Sequence, residues 1–126
     1  MATWGEQITI PGLVAGESLA SWQYGAVKLA STAGQVIKAT ATTDVILGIV
    51  QNDPASGEPA VVAVLGVSKA VAGVSTAVAV GAHLTCNATG VITQATDNSQ
   101  DFAVAIDATT AASQLFRVLL LGPSRY

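Results

Sequence analysis

The sequence predicts an all-β fold, a small β-barrel or sandwich, and three observations carry that expectation. Val, Ile and Thr recur throughout the 126 residues. Short apolar runs alternate with Gly, Pro, Asn and Asp turn signals, the pattern of many short strands. Helical spacing of apolar residues is scarce, with LASWQYG at 19–25 and ATTAASQ at 108–114 each long enough for one turn.

Taken in order, residues 1–20 read as an extended N-terminal arm, with glycines, Pro11 and little alternation beyond ITI at 8–10. Residues 21–126 read as one β-rich domain. Its strands are expected at YGAVKLA (24–30), QVIKAT (35–40), VILGIVQ (45–51), AVVAVLG (60–66) and VSKAVAG (67–73). The series continues with HLTC (83–86), VITQA (91–95), DFAVAI (101–106) and LFRVLLLG (115–122). STAG, NDPASGEP and CNATG between them hold residues that supply positive φ or fix φ near −65°, so they read as turns with a mechanism.

Sliding the chain by 56 residues aligns 25–66 with 81–122 without a gap. Gly34 falls on Gly90, and Leu65-Gly66 on Leu121-Gly122. Val36 falls on Ile92, Ile46 on Phe102, Val62 on Val118 and Val64 on Leu120. Gly25, Gly34, Gly66 and many apolar positions are kept while polar ones change, Gln51 to Asp107 and Glu58 to Gln114. This points to an internal duplication whose role is pairing and packing. Residues 1–20 match neither repeat. Under a duplication, the two halves should superpose by a pseudo-twofold operation, with Gly66 and Gly122 ending matching strands.

Only 10% of residues are charged, against 51% hydrophobic, so much of the surface must be neutral and suited to cover by neighbours. The net charge is −3 and the five cations (Lys28, Lys38, Lys69, Arg117, Arg125) are dispersed, which leaves no stripe for nucleic acid. Residues 59–84 are apolar, but Lys69, internal glycines and Val rather than Leu favour buried strands over a membrane span. Cys86 is a single cysteine and excludes an internal disulfide, consistent with a reducing compartment. MATWGEQITIPG lacks the basic and continuous apolar regions of a secretory signal, so no export is expected.

The chain offers little for catalysis. GESLA at 16–20 resembles a nucleophile elbow around Ser18, yet Ala20 replaces the second glycine, and a loop serine is the better reading. His83 and Cys86 are three apart, which on a strand sends them to opposite faces, so they do not form a ligand pair. Asp97, Ser99 and Asp101 alternate as in calcium loops, but Phe102 stands where the loop glycine belongs and the distal Glu is missing. Asn87-Ala88-Thr89 fits a glycosylation sequon without a secretory context. With one His, acid–base work would rest on carboxylates in turns, so the sequence reads as a non-enzyme with no metal and no cofactor.

The residues AVKLASTAGQVIKATATTDVILGIVQNDPASGEPAVVAVLGVSKAVAG followed by VGAHLTCNATGVITQA carry a family likeness. They resemble the small capsid cement, or head decoration, proteins of tailed bacteriophages over about residues 20–122, through Gly34 to Ala39, Gly48-Ile49-Val50, Gly57-Glu58 and Gly66 to Lys69. The resemblance implies a structural protein made in the host cytoplasm and placed on the outer surface of an icosahedral capsid. It implies a homo-oligomer, trimer preferred, bridging major capsid subunits of the HK97-like fold, without catalytic residues or cofactors. The alternatives are a tail-tube or fibre subunit, a small β-barrel ligand-binding module, which six aromatics make unpromising, and a carboxylate hydrolase. The contact residues expected from the arm are Trp4, Ile8, Ile10 and Leu13, apolar groups with little chance of local burial, Trp4 being the main anchor.

Overall fold

The computed structural model describes residues 7–73, 77–93 and 101–122. Among these there is no helix, and ten strands join in one sheet. They are β1 (Gln7–Ile10), β2 (Val14–Ala15), β3 (Ala26–Leu29), β4 (Gln35–Lys38), β5 (Gly48–Val50), β6 (Val62–Val71), β7 (His83–Asn87), β8 (Gly90–Thr93), β9 (Ala103–Ala105) and β10 (Leu115–Leu121). The order is β2-β4-β3-β5-β6-β10-β9-β7-β8, with β1 pairing β6 off this path. The all-β expectation holds, in an open sheet that does not close into a barrel.

Two expected strands, 60–66 and 67–73, are one. Gly66 adopts φ +99° inside β6 and the ladder to β10 runs through it, so it bends the strand instead of ending it. Its counterpart Gly122, at φ +102°, does follow the last residue of β10.

The duplication is visible in the strand order, since β4-β3-β5-β6 is mirrored by β8-β7-β9-β10 about the β6–β10 ladder. Registers agree residue by residue. Lys28 pairs Ile37 as Leu84 pairs Thr93, and Val27 pairs Gly48 as His83 pairs Val104. Polar counterparts keep their roles as well: Glu58 Oε1 accepts from Ala55 N at 2.8 Å, and Gln114 Oε1 from Ala111 N at 3.4 Å. The β9–β10 ladder departs by one residue from β5–β6, because the amides of Ile106 and Asp107 both donate to Arg117 O.

In the β6–β10 ladder Leu65 faces Leu121, and these are each other's counterparts at a spacing of 56. A residue paired with its own equivalent across an antiparallel ladder marks the pseudo-twofold axis.

The structure extends the repeat beyond what the alignment shows. Val14-Ala15-Gly16 runs parallel to β4 and Val71-Ala72-Gly73 runs parallel to β8 in a register shifted by one residue, with Gly16 N to Val36 O and Gly73 N to Val91 O both 2.8 Å. These tripeptides lie 57 apart, so a rigid offset of 56 misses them.

The apolar interior has two clusters. The larger joins both repeats, with Ile46, Ile49 and Ala63 against Leu84, Phe102, Phe116, Val118 and Leu120. The second lies in the first repeat, where Leu13, Ala15 and Leu19 pack with Val27, Val36, Val50, Val62 and Val64. Residues 13–19 of the expected arm therefore take part in the core.

Candidate contact surface

The side chains singled out for chemistry are dispersed. Ser18 Oγ accepts a 3.4 Å hydrogen bond from Ala20 N in a turn. His83 is exposed on β7 with Nδ1 2.9 Å from Asp101 Oδ2, while Cys86 on the same strand is fully buried, so the two do face apart. Burial pushes the Cys86 thiol up to about 12, and Sγ donates to Ala39 O at 3.3 Å across the repeats, which makes it a packing group and a poor nucleophile. Asn87 Oδ1 accepts from Thr89 N at 2.8 Å, closing the β7–β8 turn. Asp97 and Ser99 lie outside the described residues. Among the described residues no three His, Cys, Asp or Glu side chains group to hold a metal ion.

Two ion pairs fix loops. Arg117 grips Asp107 with Nε to Oδ2 and one terminal nitrogen to Oδ1, both 2.9 Å, at an exposed site. Asp44 Oδ1 accepts from Lys28 Nζ at 2.9 Å, and Oδ2 from the amides of Thr40 and Ala41. Partial burial opposes the Asp44 charge, but the hydrogen bonds from Lys28, Thr40 and Ala41 together outweigh it and hold the carboxyl below its ordinary value. A folded-state value below the unfolded one gives stability that is complete above about pH 4 and lost as pH falls through the folded value. Asp44→Ala is therefore expected to cost about 1 kcal/mol near neutral pH. Thermal melts from pH 7 to pH 2 check this: the wild-type and variant midpoints should converge on acidification, and a constant gap would assign the loss to packing.

Of the expected arm contacts, Trp4 lies outside the described residues. Leu13 is buried and Ile10 packs against the second cluster, whereas Ile8 is 59% exposed on β1. Ile8 is not isolated. It pairs with Leu65, which pairs with Leu121, and direct cross-strand partners point to the same side. Leu119 and Leu115 follow on alternate residues of β10, so Ile8, Leu65, Leu115, Leu119 and Leu121, each at least 40% exposed, share one face of β1, β6 and β10. Arg117 and Lys69 pair across the same face between Leu119 and Leu115.

Sequence reasoning matched Leu65 with Leu121 but read both as scaffold. The alternation in LFRVLLL, exposed at every odd residue, was the available signal for an outward leucine row.

A duplicated, open β-sheet with an outward apolar face and dispersed polar groups defines a structural module built for contact. Its family follows from the match of a family model described as phage cement protein to residues 27–120: the chain belongs to the phage cement protein family. Its fold is also that of the N base of head fiber gp8.5 of bacteriophage phi29, with a TM-score of 0.63 at 15% identity over 97% of this chain and 98% of that one. Among curated proteins none matches the chain.

Proposed function

We propose that this chain is a non-catalytic virion protein that binds the outer surface of an icosahedral capsid and stabilises it by bridging major capsid subunits of the HK97-like fold. The observation that carries this reading is the cement-family match, which spans both repeats and the ladder joining them. The physics agrees: internal pressure pulls shell subunits apart, and a bound protein raises the rupture threshold by adding contacts across joints. A sheet face made mostly of leucines, with Arg117 and Lys69 as its cations, supplies such contacts while desolvating few charges. The protein is made in the host cytoplasm and acts as a homo-oligomer, trimer preferred.

The N-terminal arm extends the contact, with Trp4 as its anchor and Ile8 beside it. Deleting residues 1–6, which precede β1, should leave a folded protein that binds particles weakly, and Trp4→Ala should cost about 2 kcal/mol of binding. The measurement is co-sedimentation with capsids lacking the protein, together with the temperature at which those capsids rupture. A full-length chain that neither binds nor raises that temperature would remove the cement reading. A truncated chain that binds as well as the full length would remove the arm.

A second reading is carried by the likeness to the phi29 head fiber base, namely a base that seats a fibre. Under it the protein binds capsids without changing their rupture temperature.

A further inference from the structure

Resting on the cement reading, we propose that the leucine face on the pseudo-twofold axis is the surface that meets the capsid. Its occupant is one apolar capsid segment presented twice, by two identical shell subunits related by a local twofold axis. The first ground is concentration: nine large apolar residues are exposed among those described, and five of them, Ile8, Leu65, Leu115, Leu119 and Leu121, share this face.

The second ground is symmetry. Leu65 and Leu121 are equivalent residues paired with each other, so a partner approaching along the axis meets the same leucine from both repeats. The twofold character is confined to this central pair, since Leu119 corresponds to buried Ala63 and β1 flanks β6 alone. A central pair of this kind is complemented by a partner that presents one group twice, as across the joint between two copies of one subunit. Such a joint is also where a bridging protein must act.

The third ground is where the described chain begins and ends. Gln7 lies opposite Gly66, and Gly122 follows Leu121, with Leu65 Cδ2 3.7 Å from where a Cβ on Gly122 would stand. The first described strand, β1, thus starts at this face, and the last, β10, ends at it.

Area decides against a second copy as the occupant. Seven residues of β10, the seven of β6 paired to them and the four of β1, at about 3.3 Å each on strands about 4.8 Å apart, present roughly 300 Å². A stable dimer buries about 800 Å² per partner. The patch is too small to hold two chains together alone, but it adds to the arm and to neighbouring chains on a shell, where linked contacts multiply.

The test uses the full-length chain and capsids lacking it. Leu65→Asp and Leu121→Asp should each weaken capsid binding at least tenfold and agree within threefold, because the two positions are equivalent. Leu29→Asp, at a 59% exposed leucine on β3, should bind as wild type does. A photoreactive residue placed at 65 or at 121 in the otherwise unchanged chain should label the same capsid peptide, and this readout survives if an aspartate variant fails to fold. Labelling of different capsid peptides, labelling of this chain's own copies, or wild-type binding by folded aspartate variants would overturn the proposal while leaving the cement reading intact. Failure of the wild-type chain to bind capsids at all would overturn the cement reading itself.

Discussion

Gly48→Ala is expected to destabilise the protein by about 3 kcal/mol or more, from a single added methyl group. Gly48 opens β5 and is buried against β6. A Cβ built on it would lie 2.1 Å from the carbonyl oxygen of Ala63 and 3.0 Å from its carbon. Both are main-chain atoms, so no rotamer change relieves the overlap. The only escape is to separate β5 from β6, and that costs the Ile49–Ala63 and Val50–Val62 pairings and loosens packing on both sides of the first repeat. The counterpart of Gly48 is Val104, a full side chain, and it stands where the ladder to the neighbouring strand is shifted by one residue. The control is Gly57→Ala. Gly57 has φ +87° with nothing within 4 Å of a built Cβ, so its substitution meets only left-handed strain, about 1 kcal/mol. Chemical denaturation of both variants decides the matter; a Gly48 variant as stable as the Gly57 variant would mean that β5 and β6 pack less closely than described.

The alternation of Val, Ile and Thr with turn residues made the strands legible, and the 56-residue offset made the pseudo-twofold legible before any coordinates. What stayed hidden has physical causes. Gly66 reads as a strand end because glycine usually interrupts pairing, yet flanking Leu65 and Val67 and the long partner β10 carry the ladder across it. β2 has two residues and pairs in parallel, too short for any periodicity to register. Leu13 and Ile10 looked free to meet a partner because their cover, Val62 and its neighbours, is distant in sequence. The leucine face was hidden for the opposite reason: an exposed leucine on a strand has the same letter as a buried one, and only the register of β1, β6 and β10 shows which side it takes.

Phe102→Ala should cost about 4 kcal/mol and its counterpart Ile46→Ala about 3 kcal/mol, and both should shift one and the same unfolding transition. Phe102 is 1% exposed and Ile46 fully buried, so truncation leaves a cavity that the sheet cannot easily close. The main chain at Phe102 is also tied on both sides, its amide donating to Leu84 O and its carbonyl accepting from Leu121 N, both at 3.0 Å. The two residues belong to different repeats but to one apolar cluster, which Cys86 further stitches by donating to Ala39 O. A shared cluster makes the repeats a single cooperative unit, whereas two self-contained cores would melt separately. The tryptophans, Trp4 and Trp22, both precede the first repeat's strands, so fluorescence follows the N-terminal part while circular dichroism follows the whole sheet. In the Phe102 variant the two signals should move together to lower denaturant. If fluorescence kept the wild-type midpoint while circular dichroism moved, the repeats would be independent domains. A bridging role would then have to be carried by the β6–β10 ladder alone.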